Sequence, residues 1–153
     1  MKLGGALLLF GCGGAWVGIQ NRDERAKMIQ VAAFAELFAE IGVKIESLCL
    51  PLDEILASLS PALLSACGIG AENMAALTAA MARVSDSEAA DILRETGAQL
   101  GRGTSVDQIR LCRAAAERLR QRHEQMVAAG KNNARARMTL VMSAVLGLII
   151  LLW

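Results

Sequence analysis

Two uncharged apolar runs, one at each end, constrain this chain more than any other feature. Leu3–Ile19 (LGGALLLFGCGGAWVGI) is 17 residues long, and Met138–Trp153 (MTLVMSAVLGLIILLW) is 16. As helices rising 1.5 Å per residue they reach about 24–26 Å, near the lower limit for crossing a hydrocarbon core of about 30 Å. Snorkelling of Arg22 and Arg137 to the headgroups would close the difference. A buried core helix at each end is the competing reading. The closing LGLIILLW, however, has no polar face to turn to water. The expectation is therefore an N-terminal span over residues 1–20, a helical domain over 21–137 and a C-terminal span over 138–153. Six glycines among the first 20 residues weaken the hydrophobicity of the first run.

Charge orients the two runs consistently. Arg22, Arg25 and Lys27 follow the first, and Lys131, Arg135 and Arg137 precede the second; only Lys2 lies on the far side. Basic flanks mark the cytoplasmic side of a span, so the expectation is a cytoplasmic middle domain in a bacterial cell membrane, with both termini extracytoplasmic. Trp16 and Trp153 would then lie near opposite interfaces, where indoles are favoured. A rival reading takes Leu9-Phe10-Gly11-Cys12 as a lipoprotein signal, with Cys12 lipidated and the chain an exported binding protein. Phe10 fits that signal poorly, and the apolar run continues past Cys12 to Ile19. Gly14/Gly18 and Ser143/Gly147 are small-residue pairs four apart, candidates for close packing between spans.

The middle of the chain reads as helix throughout. Met28, Val31, Ala35, Phe38, Gly42, Ile45 and Cys49 recur at alternating spacings of three and four, a coiled-coil type of stripe. Phe34, Leu37, Ile41 and Leu48 widen it, predicting contact with more than one neighbour. Ile109, Cys112, Ala116, Leu119, His123 and Met126 form a matching stripe. No proline interrupts either stretch on its way to the adjoining apolar run, so each predicts one long helix. Ser105–Gln108 reads as a capping box opening the last helix, and Ser85–Glu88 as another opening a helix that runs to about Leu100. Pro51 and Pro61 mark the starts of short helices, the second ending near Gly68–Gly70. Residues 72–83 read as a further helix, and Gly101-Arg102-Gly103 breaks the chain before the last one. The predicted fold class is all-α: a small antiparallel bundle whose first and last helices extend as transmembrane anchors.

Composition excludes several functions. Net charge is +1, aromatics are 3% and there is no Tyr, so nothing favours nucleic acid. Cys12, Cys49, Cys67 and Cys112 have no C-x-x-C spacing and read as small buried hydrophobes. His123 lies on an apolar stripe, where a core or boundary position is the simplest reading. The glycines at 11–14 and at 97–103 lack the context of a phosphate-binding loop. No catalytic, cofactor-binding or metal-binding set emerges, and the expectation is a non-enzymatic protein without a cofactor.

Charge is nevertheless segregated. Residues 36–95 hold ten acidic and three basic side chains, net −7, whereas residues 96–137 hold three acidic and nine basic, net +6. Arg110, Arg113, Arg118, Arg120 and Arg122 form a candidate basic face on the last helix. The favoured reading is internal: the basic helix complements acidic neighbours and fixes register. The alternative is a face for an acidic partner or anionic lipid, to which Lys131, Arg135 and Arg137 are also close.

In its layout the chain resembles the stage III sporulation protein AB family. The resemblance rests on Met1–Leu9 (MKLGGALLL), the basic flank that follows, Leu50–Leu59 (LPLDEILASL), Leu100–Ile109 (LGRGTSVDQI) and Val145–Leu152 (VLGLIILL). It runs nearly the whole length in order and departs from the family pattern over Cys67–Ala80, which is rich in Gly, Ala and Met. It implies a non-enzymatic platform or adaptor of the transenvelope channel between mother cell and forespore. It implies as partners other membrane channel subunits and a secretion-type ATPase, by likeness to the F-type platform proteins of type II secretion. The alternative is a membrane-anchored coiled-coil scaffold unrelated to sporulation, self-associating as a homo-oligomer along its long helices.

Overall fold

A computed structural model describes the backbone of residues 3–48, 51–71 and 73–152, and the side chains of 22–48, 51–71, 73–133, 136, 139, 140 and 143. Six α-helices and no strand occur among the described residues: α1 (Leu3–Leu48), α2 (Leu52–Ala57), α3 (Pro61–Ala66), α4 (Met74–Ala82), α5 (Ser87–Gln99) and α6 (Ser105–Leu152). The all-α expectation and the two long helices are therefore found. The expected spans, 1–20 and 138–153, lie outside the described side chains apart from Thr139, Leu140 and Ser143. Among the described residues no helix is long and apolar enough to cross a membrane.

The two long helices form an antiparallel pair. Glu46 lies beside Arg113, Ala35 beside Arg120 and His123, and Met28 beside Met126, so one helix number rises as the other falls. Both predicted stripes meet at this seam. From α1 the seam and its flank bury Val31, Phe34, Leu37, Phe38 and Ile41; from α6 they bury Cys112, Ala115, Ala116 and Leu119. The large side chains of α1 face mostly small ones of α6, which lets the two axes approach. Gly42 sits against α6, where a Cβ would lie 3.5 Å from the Cβ of Cys112.

The four short helices cover one side of this pair. α2 and α3 pack on α1, α5 packs on α6, and α4 bridges α2 and α5. Ile55, Leu56, Leu64, Leu77, Ile92 and Leu93 complete a single core. The burial of Phe34, Leu37 and Ile41 confirms that α1 meets several neighbours. Leu48 does not join them: it is half exposed at the last position of α1, past the residues that α6 and the short helices cover.

Polar side chains join the short helices to the frame. The Lys44 ammonium donates to the carbonyl and hydroxyl of Ser58, the C-cap of α2, a favourable place for a cation. Asp53 accepts a hydrogen bond from the Met74 N–H, so a carboxylate of α2 sits at the positive end of α4. Thr96, the one buried polar side chain among the described residues, donates its hydroxyl to the Ile92 carbonyl and is satisfied within its own helix.

Both predicted capping boxes are displaced by one residue. Asp86, not Ser85, caps α5 and accepts from the Ala89 N–H. At α6, Thr104 and Asp107 close the box: Asp107 accepts from the Thr104 N–H and hydroxyl, and Thr104 Oγ1 accepts from the Asp107 N–H. An aspartate takes the place of the longer Glu or Gln, and the helix begins one residue later than the cap. Gln108 is thereby released to hold the preceding turn. It accepts from the Gly101 N–H and donates to the carbonyls of Gln99 and Arg102. Gly101 and Gly103 both adopt positive φ, 78° and 94°, so this turn needs glycine where L side chains are strained.

Candidate functional site

The basic face predicted on α6 is largely turned to internal use. Arg113 pairs with Glu46 of α1 at 2.5 Å, and Arg118 pairs with Glu95 of α5 at 2.6 Å. Arg122 takes both carboxylate oxygens of Asp86, at 2.9 and 2.8 Å, and reaches Glu88 at 2.7 Å. Three cations spaced along one helix thus meet acidic groups on two different helices. The block asymmetry of the sequence anticipated this complementarity, although it did not identify the acidic partners. Arg110 and Arg120 are exposed and make no ion pair among the described residues. Arg120 instead borders a shallow groove with Ala32, Ala35, Glu36 and His123.

The three pairs differ in environment. The side chains of Arg113 and Glu46 are 60% and 56% exposed, so their attraction is weakened by solvent. Those of Arg122 and Asp86 are only 24% and 10% exposed, and the geometry is a forked guanidinium on a carboxylate. Hydrogen bonding from Arg122 holds the Asp86 carboxyl below the usual carboxylate range. The Ala89 N–H and the charges of Arg122 and Lys27 act in the same direction, against partial burial. The same contact raises the pKa of Arg122.

This ion pair lies on the wall of a cleft between α1 and α6 of about 240 Å³, lined also by Glu24, Lys27, Met28 and Met126. The cleft lies toward the ends of α1 and α6 that carry the apolar runs. Its charges balance, two acidic and two basic, and it contains no cysteine, serine or histidine that a base could activate. One guanidinium ties the start of α5 to α6, with Lys27 of α1 close by.

The basic flank is partly visible. Arg22, Arg25 and Lys131 are exposed, and Lys27 is half-buried. Because the long helices are antiparallel, Glu24 and Asn133 border the same cleft, and the two basic flanks converge at one end of the bundle. The side chains of Arg135 and Arg137 lie outside the described residues. So do Gly14, Gly18 and Gly147 of the candidate packing pairs. Ser143 is exposed and donates its hydroxyl to the Leu140 carbonyl.

Cys67 and Cys112 are buried free thiols. Burial pushes Cys67 up to about 12, with a smaller contribution from the charge of Glu36, and pushes Cys112 up to about 11. Both behave as core hydrophobes. Cys12 and Cys49 lie outside the described side chains. Among the described residues no group of three His, Cys, Asp or Glu is placed to hold a metal ion.

No protein-family model, curated protein or solved structure matches this chain.

Proposed function

We propose that this chain is a non-enzymatic, membrane-anchored helical platform. The observation that carries the reading is the antiparallel pairing of two helices, 46 and 48 residues long, which each run unbroken from the core to the adjoining apolar run. Such a pair delivers both apolar ends, and both basic flanks, to the same side of the bundle. That is the arrangement a two-span protein with a cytoplasmic domain requires. The segments 1–20 and 138–153 serve as anchors, and α2–α5 form a small body held against the cytoplasmic part of the hairpin.

The resemblance to the stage III sporulation protein AB family supplies the finer proposal. The bundle would act as an adaptor of the channel between mother cell and forespore, beside other membrane subunits and a secretion-type ATPase. The internal use of Arg113, Arg118 and Arg122 supports a structural rather than catalytic role for the basic helix.

Two experiments test the two levels separately. In a chain lacking residues 1–20, Leu148→Arg places a cation near the centre of the remaining span, at a cost of about 2.5–3.5 kcal/mol on insertion. The expected result is loss of carbonate-resistant membrane retention; unchanged retention would remove the C-terminal anchor from the proposal. Deletion of the gene in its native host, scored by microscopy, tests the cellular role. Arrest after engulfment, restored by the gene in trans, is expected. Normal spores would withdraw the sporulation role and favour an unrelated membrane scaffold.

A further inference from the structure

Helix α4 has an uncovered face that its chemistry does not explain. Its nine residues, Met74–Ala82, contain no charged side chain. Leu77, Ala80 and Met81 point into the core, while Ala75, Thr78, Ala79 and Ala82 are exposed on the opposite side. The one hydroxyl on that side is already spent, since Thr78 Oγ1 donates to the Met74 carbonyl. A helix apolar all round is ordinarily covered on every side. Beside this face runs a groove of about 380 Å³ between α4 and α5, bordered by Thr78, Met81, Ala82, Leu93, Gly97 and Arg94, whose guanidinium is paired with Asp91 of its own helix. Gly97 lets Met81 of α4 pack closely on α5: a Cβ there would lie 3.1 Å from the Met81 methyl.

The two ends of α4 carry opposite charge. At its start the Asp53 carboxylate accepts from the Met74 N–H at 3.2 Å, with Glu54 next in sequence and exposed. At its end stands Arg83, the exposed C-cap, which makes no ion pair among the described residues. Thr78 lies midway: Arg83 is five residues after it and Asn73 five before.

We propose that this face pairs with the same face of a second copy, antiparallel, about a two-fold axis near Thr78. An isologous contact requires a patch complementary to itself. Rotation about that axis puts Arg83 of each copy opposite the start of the other's α4, where Asp53 and Glu54 lie. Both grooves are covered in the same step, with Arg94 at their border already neutralised by Asp91, and the small side chains let the two helix axes come close. A parallel arrangement would instead set like charges together at both ends. The face is only nine residues long, so the pairing is of the weak, reversible class, and proximity rather than size is the quantity to measure.

The test uses the purified full chain in a mild non-ionic detergent at low salt. Thr78→Cys is treated with a short bis-maleimide, and Glu117→Cys, exposed on the outer face of α6, serves as the reference position. Crosslinked dimer from Thr78→Cys is expected at about ten times the Glu117→Cys yield. Adding Arg83→Glu replaces attraction by repulsion and should lower the yield about tenfold. Adding Glu54→Arg to that variant should restore it. Circular dichroism checks that every variant remains helical, and Glu54→Arg alone gives a second route to the same loss should Arg83→Glu fail to fold. Equal yields at Thr78 and Glu117, or a Thr78 yield insensitive to both charge reversals, would overturn the pairing.

Discussion

Arg122 and Asp86 are 36 positions apart in sequence, yet they form the most buried ion pair among the described residues, a forked guanidinium–carboxylate contact with Asp86 also serving as the N-cap of α5. One carboxylate therefore orders the start of one helix and fastens it to another.

Removing the cation should be costly, because it strands a largely buried carboxylate. Arg122→Met keeps the apolar stem and deletes the charge. The expected loss is about 2 kcal/mol, measured as a lower midpoint of urea unfolding. Arg113→Met removes a pair open to solvent and should cost less than about 1 kcal/mol. Equal effects at the two positions would contradict the difference in burial.

The same joint sets a pH dependence. Asp86 has its pKa lowered by folding, so the folded state holds its proton less readily than the unfolded chain. Its contribution is complete above the ordinary carboxylate value of 3.8 and fades as pH falls through the lower, folded value. Thermal unfolding between pH 6 and 2 is expected to show a drop in stability at the acid end. Asp86→Asn should be less stable at pH 6 and should show a shallower acid drop. Asp107, also lowered through its bonds with Thr104, contributes to the drop that remains in that variant.

Much of this was legible in the sequence, and the rest was lost for identifiable reasons. The alternating stripe of α1 located Val31, Ala35, Phe38 and Ile45 in the core because a helix repeats its face on that spacing. The residues that widen the stripe carried Leu48 along with Phe34, Leu37 and Ile41, but periodicity says nothing about where the neighbouring helices end. The charge blocks predicted that α6 would find acidic partners. They could not name Glu46, Asp86 or Glu95, because partner choice depends on the rotation of each helix. The caps were misplaced by one residue because both segments offer adjacent polar side chains. Aspartate and threonine won those positions through short reach to the backbone.

That one-residue displacement is itself measurable. Thr104→Ala should destabilise the chain by about 1 kcal/mol, whereas Ser105→Ala should be nearly neutral. Chemical denaturation of the two variants side by side checks it; the reverse order would restore Ser105 as the cap.

The two core cysteines should be silent in the native state. Cys67 and Cys112 are fully buried with thiols shifted to about 12 and about 11, so thiolate is scarce at neutral pH. Maleimide labelling followed by peptide mass spectrometry is expected to leave both unmodified in the folded protein and to modify both in urea. Rapid native labelling of Cys112 would indicate that the α1–α6 seam opens readily.

The pairing of α1 with α6 also imposes an order on synthesis. The Glu46–Arg113 contact spans 67 positions, and the contacts nearer the two ends span still more. Ribosomes add about 5–20 residues per second, so the apolar stripe of α1 emerges several seconds before the helix that shields it exists. α2 and α3, translated next, can occupy part of that stripe at once, because they need only short loops to reach it. The remainder, the side that receives Cys112, Ala116 and Leu119, stays sticky until the final third of the chain arrives. A nascent chain of this design is exposed to mispairing for most of its translation, and chaperone dependence is the expected consequence.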